Sequence, residues 1–61
     1  MKFTLKDARI NAGYTQKEAA IKLGVAESTI VRWENNRCPI KIESFLKLSR
    51  IYGIPIQDFL L

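Results

Sequence analysis

The chain has 61 residues, enough for one small domain with a thin core, since a domain of this size buries only roughly 60% of the surface that its unfolded chain exposes. Its composition, 48% apolar and 26% charged, is typical of a globular fold and argues against disorder. Ten Lys and Arg against six Asp and Glu give a net charge of +4, which favours a polyanionic partner such as nucleic acid or an anionic membrane surface.

Several classes of protein are disfavoured by the sequence. No apolar stretch approaches the roughly 20 residues that a transmembrane helix needs, and the first residues carry a charge every few positions, unlike a signal peptide. One cysteine and no histidine predict neither an internal disulfide nor a zinc site. There is also no nucleophile–base pair, so we do not expect an enzyme. We likewise expect no cofactor, no membrane association and no small-molecule substrate.

The first helix is predicted at residues 5–12. Apolar residues at positions 5, 8 and 12, with Ile10 beside them, recur at a helical spacing. Gly13 follows where the end of a helix favours a residue of positive φ.

The second helix is predicted to run from Gln16 to about residue 23. Thr15 and Glu18 have the spacing of a capping box, in which each side chain accepts a hydrogen bond from the other residue's backbone N–H. Gly24 ends the helix as a residue of positive φ. The inner face of this helix consists of Ala19, Ala20 and Leu23.

The third helix is predicted at residues 26–36. Ala26, Ile30 and Trp33 recur at i, i+4 and i+7 and therefore share one inner face. The opposite, mostly polar face consists of Glu27, Ser28, Val31, Arg32 and Asn35.

Two further helices are predicted at residues 42–52 and 56–61. Gly53 ends the first of them, and Pro55 suits the first turn of the second. No strand pattern is found, so we predict an all-α, compact five-helix domain that spans residues 1–61. The fourth helix is predicted to bury Ile42, Phe45, Leu46, Leu48, Ile51 and Tyr52.

The second and third helices have the layout of a helix-turn-helix. Ala20 is small where the two helices cross, and Gly24 permits the left-handed turn between them. Three apolar residues hold the third helix against the body, namely Val25, Ile30 and Trp33. The outer face that remains is of the kind that enters a major groove.

Several stretches resemble the lambda-repressor/Cro type, or XRE type, of helix-turn-helix. They are residues 14–20 (YTQKEAA), 23–25 (LGV), 28–30 (STI) and 32–35 (RWEN), followed by 46–48, 52–54 and 59–60. The resemblance covers essentially the whole chain. It implies a five-helix DNA-binding domain of a bacterial or phage transcriptional regulator, located in the cytoplasm and often a dimer on a palindromic site.

The resemblance also implies roles for individual residues. Gln16 matches a phosphate contact at the start of the second helix, where the helix dipole and free N–H groups add to the attraction. The family's base-reading positions are matched by Ala26, Glu27, Ser28 and Arg32. Asn35 and Arg37 match contacts with the DNA backbone. Arg9 and Glu34 match an ion pair between the first and third helices, which at a surface is worth about 0–1 kcal/mol.

Two positions depart from the family pattern. Ala26 and Lys41 stand where the family often has a capping side chain before the third and fourth helices. Each loss costs about 1 kcal/mol of stability.

Alternatives stay open at several of these residues. Arg32 either bonds to guanine O6 and N7 or is an ordinary exposed arginine, and we favour the first. Glu27 either accepts from a cytosine amine or is a first-turn acid favoured by the helix dipole. Ser28 contacts DNA or is simply polar, and Val31 touches a thymine methyl or is simply exposed. A basic cluster around the third helix is expected from Lys17, Arg37 and Lys41.

The last residues, Phe59, Leu60 and Leu61, either cap the core or form an apolar patch that pairs with a second copy as a homodimer. Two functions follow from these observations. The first is sequence-specific binding of double-stranded DNA by a repressor-like regulator that inserts helix 26–36 into the major groove. The alternative is a protein-interaction module of the same fold, an antitoxin or adaptor, in which DNA binding is secondary.

Overall fold

Four α-helices follow one another in the computed structural model, which describes residues 2–36 and 39–59. They are α1 (Leu5–Ala12), α2 (Gln16–Leu23), α3 (Glu27–Glu34) and α4 (Ile42–Tyr52), and a single 3-10 turn follows at Ile56–Asp58. The predicted bounds of the first, second and fourth helices are confirmed. Within the two described ranges, no helix has both the length and the apolarity that crossing a bilayer requires.

The first two helices begin with the same local device. The Oγ1 atom of Thr15 accepts from the Glu18 backbone N–H at 3.1 Å, and Oε1 of Glu18 accepts from the Thr15 N–H at 2.8 Å, which confirms the predicted capping box. α1 has an equivalent box between Thr4 and Asp7 that we did not predict, although the Thr-x-x-Asp spacing is present in the sequence. Both helices therefore start where short-range side-chain bonds place them.

The turn between α2 and α3 is set by Gly24. This residue has φ +83°, and its N–H donates to the carbonyl of Ala20 at 2.8 Å, while that of Val25 donates to the same carbonyl at 3.0 Å. Residues other than glycine rarely adopt this φ, so the predicted left-handed turn is confirmed and is dictated by the sequence. Ala19 and Ala20 are buried, which lets the backbone of α2 lie close to its neighbours α3 and α4.

α3 is shorter than the predicted 26–36. Ala26 is its N-cap, in an extended conformation with φ −71° and ψ 149°, and it makes no side-chain capping bond. Asn35 is the C-cap, and Asn36 has φ +56°, a left-handed conformation that cannot continue a right-handed helix. Ala26 is exposed, whereas Ile30 and Trp33, with which it was predicted to share a face, are buried.

We expect Ala26→Ser to stabilise the domain by about 1 kcal/mol. Ala26 already has the backbone conformation of an N-cap, so a serine hydroxyl can accept from the N–H of Ser28 or Thr29 without rearrangement. In thermal unfolding, the gain corresponds to a rise in Tm of roughly 4–8 °C. The control is Asn11→Ser on the exposed side of α1, which should leave Tm nearly unchanged. An unchanged or lowered Tm for Ala26→Ser would contradict the claim that α3 lacks a stabilising cap at this position.

The core draws on all four helices and on the end of the described chain. Its buried side chains are Leu5, Ala8, Ala19, Ala20, Ile30, Trp33, Phe45, Leu48, Tyr52, Ile54 and Phe59. Ile30 and Leu48 are the largest side chains that are fully buried. The inward orientation of Ile30 and Trp33 decides which face of α3 is left outside.

The predicted core of α4 was too wide. Phe45, Leu48 and Tyr52 form the buried stripe at i, i+3 and i+7, whereas Ile42 is 65% exposed and Leu46 is 42% exposed. The two exposed residues lie one helical turn apart, to one side of that stripe. A domain this small covers only one stripe of each helix, and Ile10 of α1 is left exposed in the same way.

The predicted fifth helix at 56–61 was also wrong. After Pro55 the chain makes one 3-10 turn, and Phe59 is then extended, with φ −86° and ψ 140°. Phe59 pairs with Phe3 in an isolated parallel bridge, and its ring meets the edge of Phe45 with centroids 5.0 Å apart. Burial of Phe59 in this position outweighs continuation of the helix, so this residue caps the core, while Leu60 and Leu61 lie outside the described residues.

Candidate nucleic-acid interface

One face of α3 points away from the core. Ile30 is 1% exposed and Trp33 is 9% exposed, so the helix is fixed in its rotation about its own axis. We call the opposite side the outer face of α3. It consists of the exposed residues Glu27, Ser28, Arg32 and Asn35, together with the half-buried Val31.

The outer face has dimensions and side chains that a B-DNA major groove can accept. Eight helical residues span about 12 Å, and a helix with its side chains is about 10–12 Å wide, close to the width of the B-DNA major groove. Ser28 and Arg32 lie one turn apart, as do Glu27 and Val31. The face therefore presents hydrogen-bond donors, a carboxylate acceptor and an apolar surface side by side.

The start of α2 forms a second part of the site. Gln16 and Lys17 are its first two residues, and Lys17 is exposed. Their backbone N–H groups have no acceptor within the helix, because the first turn of any helix lacks one, and they lie at the positive end of the helix dipole. The N–H of Thr15 and the Thr15 hydroxyl stabilise the Glu18 carboxylate and lower its pKa. The N–H groups of Gln16 and Lys17 therefore attract an anion, although the ionised Glu18 carboxylate beside them opposes it.

A buried ion pair joins α1 to the last residue of α3. The Nε atom of Arg9 is 2.7 Å from Oε2 of Glu34, and a second guanidinium nitrogen donates to Oε1 at 3.2 Å. The two side chains are only 10% and 4% exposed, so the expectation of a surface pair was wrong. The burial of Arg9 could have been predicted from its spacing, because Arg9 follows Leu5 at i+4 and so lies on the inner side of α1.

The ion pair extends into a network that joins three helices. Arg9 also donates to the backbone carbonyl of Tyr14 at 2.8 Å, just before α2. The Nε2 atom of Gln16 donates to Oε1 of Glu34 at 3.1 Å. We call these contacts of Arg9, Tyr14, Gln16 and Glu34 the Arg9 network. It brings the start of α2 against the end of α3, next to Asn35.

The remaining predicted DNA contacts are more scattered. Ala26 and Glu27 lie at the opposite end of α3, after the Gly24 turn. Lys41 is exposed and is the N-cap of α4, where its side chain makes no capping bond. Arg37 lies outside the described residues. The expected basic cluster around α3 therefore stays a prediction.

Tyr52 lies close to the Arg9 network. Its pKa is raised to about 12, chiefly by burial and also by the negative charge of Glu34, while the positive charge of Arg9 opposes the shift. The ring of Tyr52 is also 6.3 Å from that of Tyr14, between centroids. The folded protein therefore favours the neutral phenol at this position.

We expect the free energy of unfolding to fall as the pH rises from about 10 to about 12. Because the pKa of Tyr52 is raised on folding, the stabilisation is complete below pH 10 and is lost as the pH rises through the folded value. Urea unfolding across this range measures the effect. Tyr52→Phe should show a smaller alkaline loss than the wild type, and an equal loss in both would mean that Tyr52 is not responsible.

Across residues 2–36 and 39–59, no three His, Cys, Asp or Glu residues lie close enough together to hold a metal ion.

Residues 5–59 match the profile of the helix-turn-helix family, and the chain belongs to that family. This match confirms the resemblance to XRE-type helix-turn-helix proteins. The chain is 42% identical over 57 residues to the HTH-type transcriptional regulator ImmR of Bacillus subtilis, an alignment that covers 93% of this chain and 44% of ImmR. It is 32% identical over 54 residues to the cryptic phage CTXphi transcriptional repressor RstR of Vibrio cholerae, covering 88% of this chain and 49% of RstR.

A third relative is an uncharacterized HTH-type transcriptional regulator of Methanocaldococcus jannaschii, 33% identical over 58 residues, or 95% of this chain and 88% of the relative. The chain thus spans about half the length of the first two relatives. No solved structure was found to match it.

Proposed function

We propose that the chain binds double-stranded DNA as part of a transcriptional regulator, with α3 in the major groove. The observation that carries this proposal is the rotation of α3. Ile30 and Trp33 are buried, so the outer face presents Arg32 and its neighbours to the exterior. The net charge of +4 favours the approach of a polyanion.

Phosphate contacts would supply the sequence-independent part of the affinity and fix the register of α3 on the duplex. Gln16 and the first N–H groups of α2 would hold one phosphate, since they lie at the start of that helix. Further backbone contacts are proposed for Lys17, Asn35, Arg37 and Lys41.

Base contacts would come from the outer face of α3. Arg32 is proposed to donate to guanine O6 and N7, and Glu27 to accept from a cytosine amine. Ser28 is proposed as a polar contact and Val31 as the neighbour of a thymine methyl. Ala26, at the N-cap of α3, has a small side chain that lets the helix approach a base closely.

We further propose that the regulator is a homodimeric repressor in the cytoplasm, encoded by a bacterium or a phage. RstR is named a repressor, and ImmR is named a regulator. Two copies would place their α3 helices in half-sites about one helical turn apart, roughly 34 Å. Phe59 would take no part in the dimer contact, since it lies in the core with 6% of its surface exposed.

Titration of a labelled random-sequence duplex at low salt, repeated as the salt concentration is raised, tests the proposal. We expect an association constant that falls steeply with salt, with a log–log slope of about −0.9 for each phosphate contacted. Binding that is absent at low salt, or that does not change with salt, would favour a protein-interaction module instead.

A further inference from the structure

Glu34 is almost completely enclosed by its hydrogen-bond partners. Its Oε2 atom accepts from Nε of Arg9 at 2.7 Å, and its Oε1 atom accepts from a second Arg9 nitrogen and from Nε2 of Gln16. The side chain is 4% exposed. Glu34 is therefore too buried to contact DNA itself. Its hydrogen bond to the carboxamide of Gln16 connects it to the surface of the molecule.

The bond to Glu34 fixes the direction of the whole Gln16 carboxamide. This group is planar and has two N–H donors, so holding one N–H against Oε1 of Glu34 also fixes the other N–H and the carbonyl oxygen. Gln16 is half-buried, and within residues 2–36 and 39–59 its second N–H has no hydrogen-bond partner, beside the backbone N–H groups at the start of α2. The rotamer freedom of this side chain is lost on folding rather than on binding.

The other glutamine of the chain provides a contrast. Gln57 is exposed on the 3-10 turn, where a long polar side chain is normally solvated and mobile. Charge balance does not require the Gln16 bond either, since Arg9 already neutralises Glu34. What the bond adds is a fixed orientation at the anion-attracting end of α2.

We propose that Glu34 is a positioning residue for DNA binding, which holds the Gln16 carboxamide ready to donate to a backbone phosphate. Because Glu34 is the last residue of α3, the same bond fixes the phosphate contact relative to the base-reading helix. The inference rests on the proposed function, but the bond itself is testable in the free protein.

Relaxation of the side-chain amide ¹⁵N nuclei in the free protein tests the bond directly. We expect Gln16 to be as ordered as the backbone, with an order parameter of about 0.85, and Gln57 to be mobile, below about 0.6. In Glu34→Asp, whose carboxylate is one methylene shorter but still charged, Gln16 should become as mobile as Gln57. Gln16 as mobile as Gln57 in the wild type, or still rigid in Glu34→Asp, would overturn the proposal.

Titration of a random-sequence duplex with the wild type, Gln16→Met, Glu34→Asp and the double variant tests the consequence for binding. We expect each single variant to bind roughly five-fold more weakly, the effect of one hydrogen bond, and the double variant no more weakly than either. Losses that multiply to roughly 25-fold, or a Glu34→Asp variant that binds like the wild type, would overturn the positioning role.

Two controls separate the outcomes. Salt-insensitive or absent binding by the wild type contradicts the proposed function, whereas the relaxation result depends only on the free protein. Circular dichroism and Trp33 fluorescence report whether each variant is folded. If Glu34→Asp does not fold, the inference is tested on the wild type alone. We expect the side-chain amide of Gln16 to stay rigid and its resonance to shift when duplex is added. A mobile amide, or an unshifted resonance, would overturn the inference.

Discussion

Replacing Arg9 by methionine is expected to remove about 3–5 kcal/mol of folding free energy, because it leaves the Glu34 carboxylate buried without its charged partner. The free energy of unfolding is about 0.05–0.15 kcal/mol per residue in ordinary domains, or about 3–9 kcal/mol for a chain of 61 residues. The expected loss is therefore a large part of the total stability of the domain.

Urea unfolding followed by the fluorescence of Trp33 measures this loss, since Trp33 is the sole tryptophan and is buried. Lys6→Met, an exposed cation replaced on the same helix, is the matched control and should change stability by less than about 0.5 kcal/mol. Replacing Arg9 and Glu34 together by methionine should recover much of the loss, since no unpaired charge remains. A loss below about 1 kcal/mol for Arg9→Met would show that the pair is solvated.

Arg32→Ala is expected to remove discrimination at one base pair of the DNA site, by about 1–3 kcal/mol or roughly 5- to 150-fold. Arg32 is exposed on the outer face of α3, so the stability of the fold should stay within about 0.5 kcal/mol of the wild type. Selection of bound sequences from a random duplex pool measures the effect, as a loss of preference at one position with the others retained.

The control for Arg32 is Arg50→Ala, which removes an exposed arginine from the last turn of α4. This variant should keep every base preference of the wild type. If Arg32→Ala instead weakened binding to selected and random duplexes equally, Arg32 would be a phosphate contact and not a base reader.

The ends of α1, α2 and α4 were predictable from the sequence because short-range chemistry sets most of them. The Thr15 and Glu18 capping box and the left-handed Gly24 turn depend on residues that are neighbours in the chain. Helical spacing likewise placed Ile30 and Trp33 inside, and with them the direction of the outer face of α3.

Features that depend on distant contacts could not be predicted in the same way. The extended conformation of Phe59 depends on Phe3 and Phe45, which are remote in the chain. Ile42 has the helical spacing of a core residue, but it is 65% exposed, so none of the described elements covers its side of α4. Periodicity indicates which residues share a face and not how much of that face is buried.

The candidate site shows the same division. The outer face of α3 follows from periodicity, whereas the bond between Gln16 and Glu34 spans 18 positions of the chain and needs the packing of α2 on α3. The burial of Arg9 was missed because charged side chains are almost never fully buried unless they are paired. Its position on the inner side of α1 was the one available signal.

Amide chemical shifts of the ¹⁵N-labelled protein, recorded as a selected duplex is added, show directly which surface contacts DNA. We expect the largest shifts at Glu27, Ser28 and Arg32 on the outer face of α3, with further shifts at Gln16 and Lys17. Shifts confined to α4, with those of α3 unchanged on saturation, would contradict the insertion of α3 into the major groove.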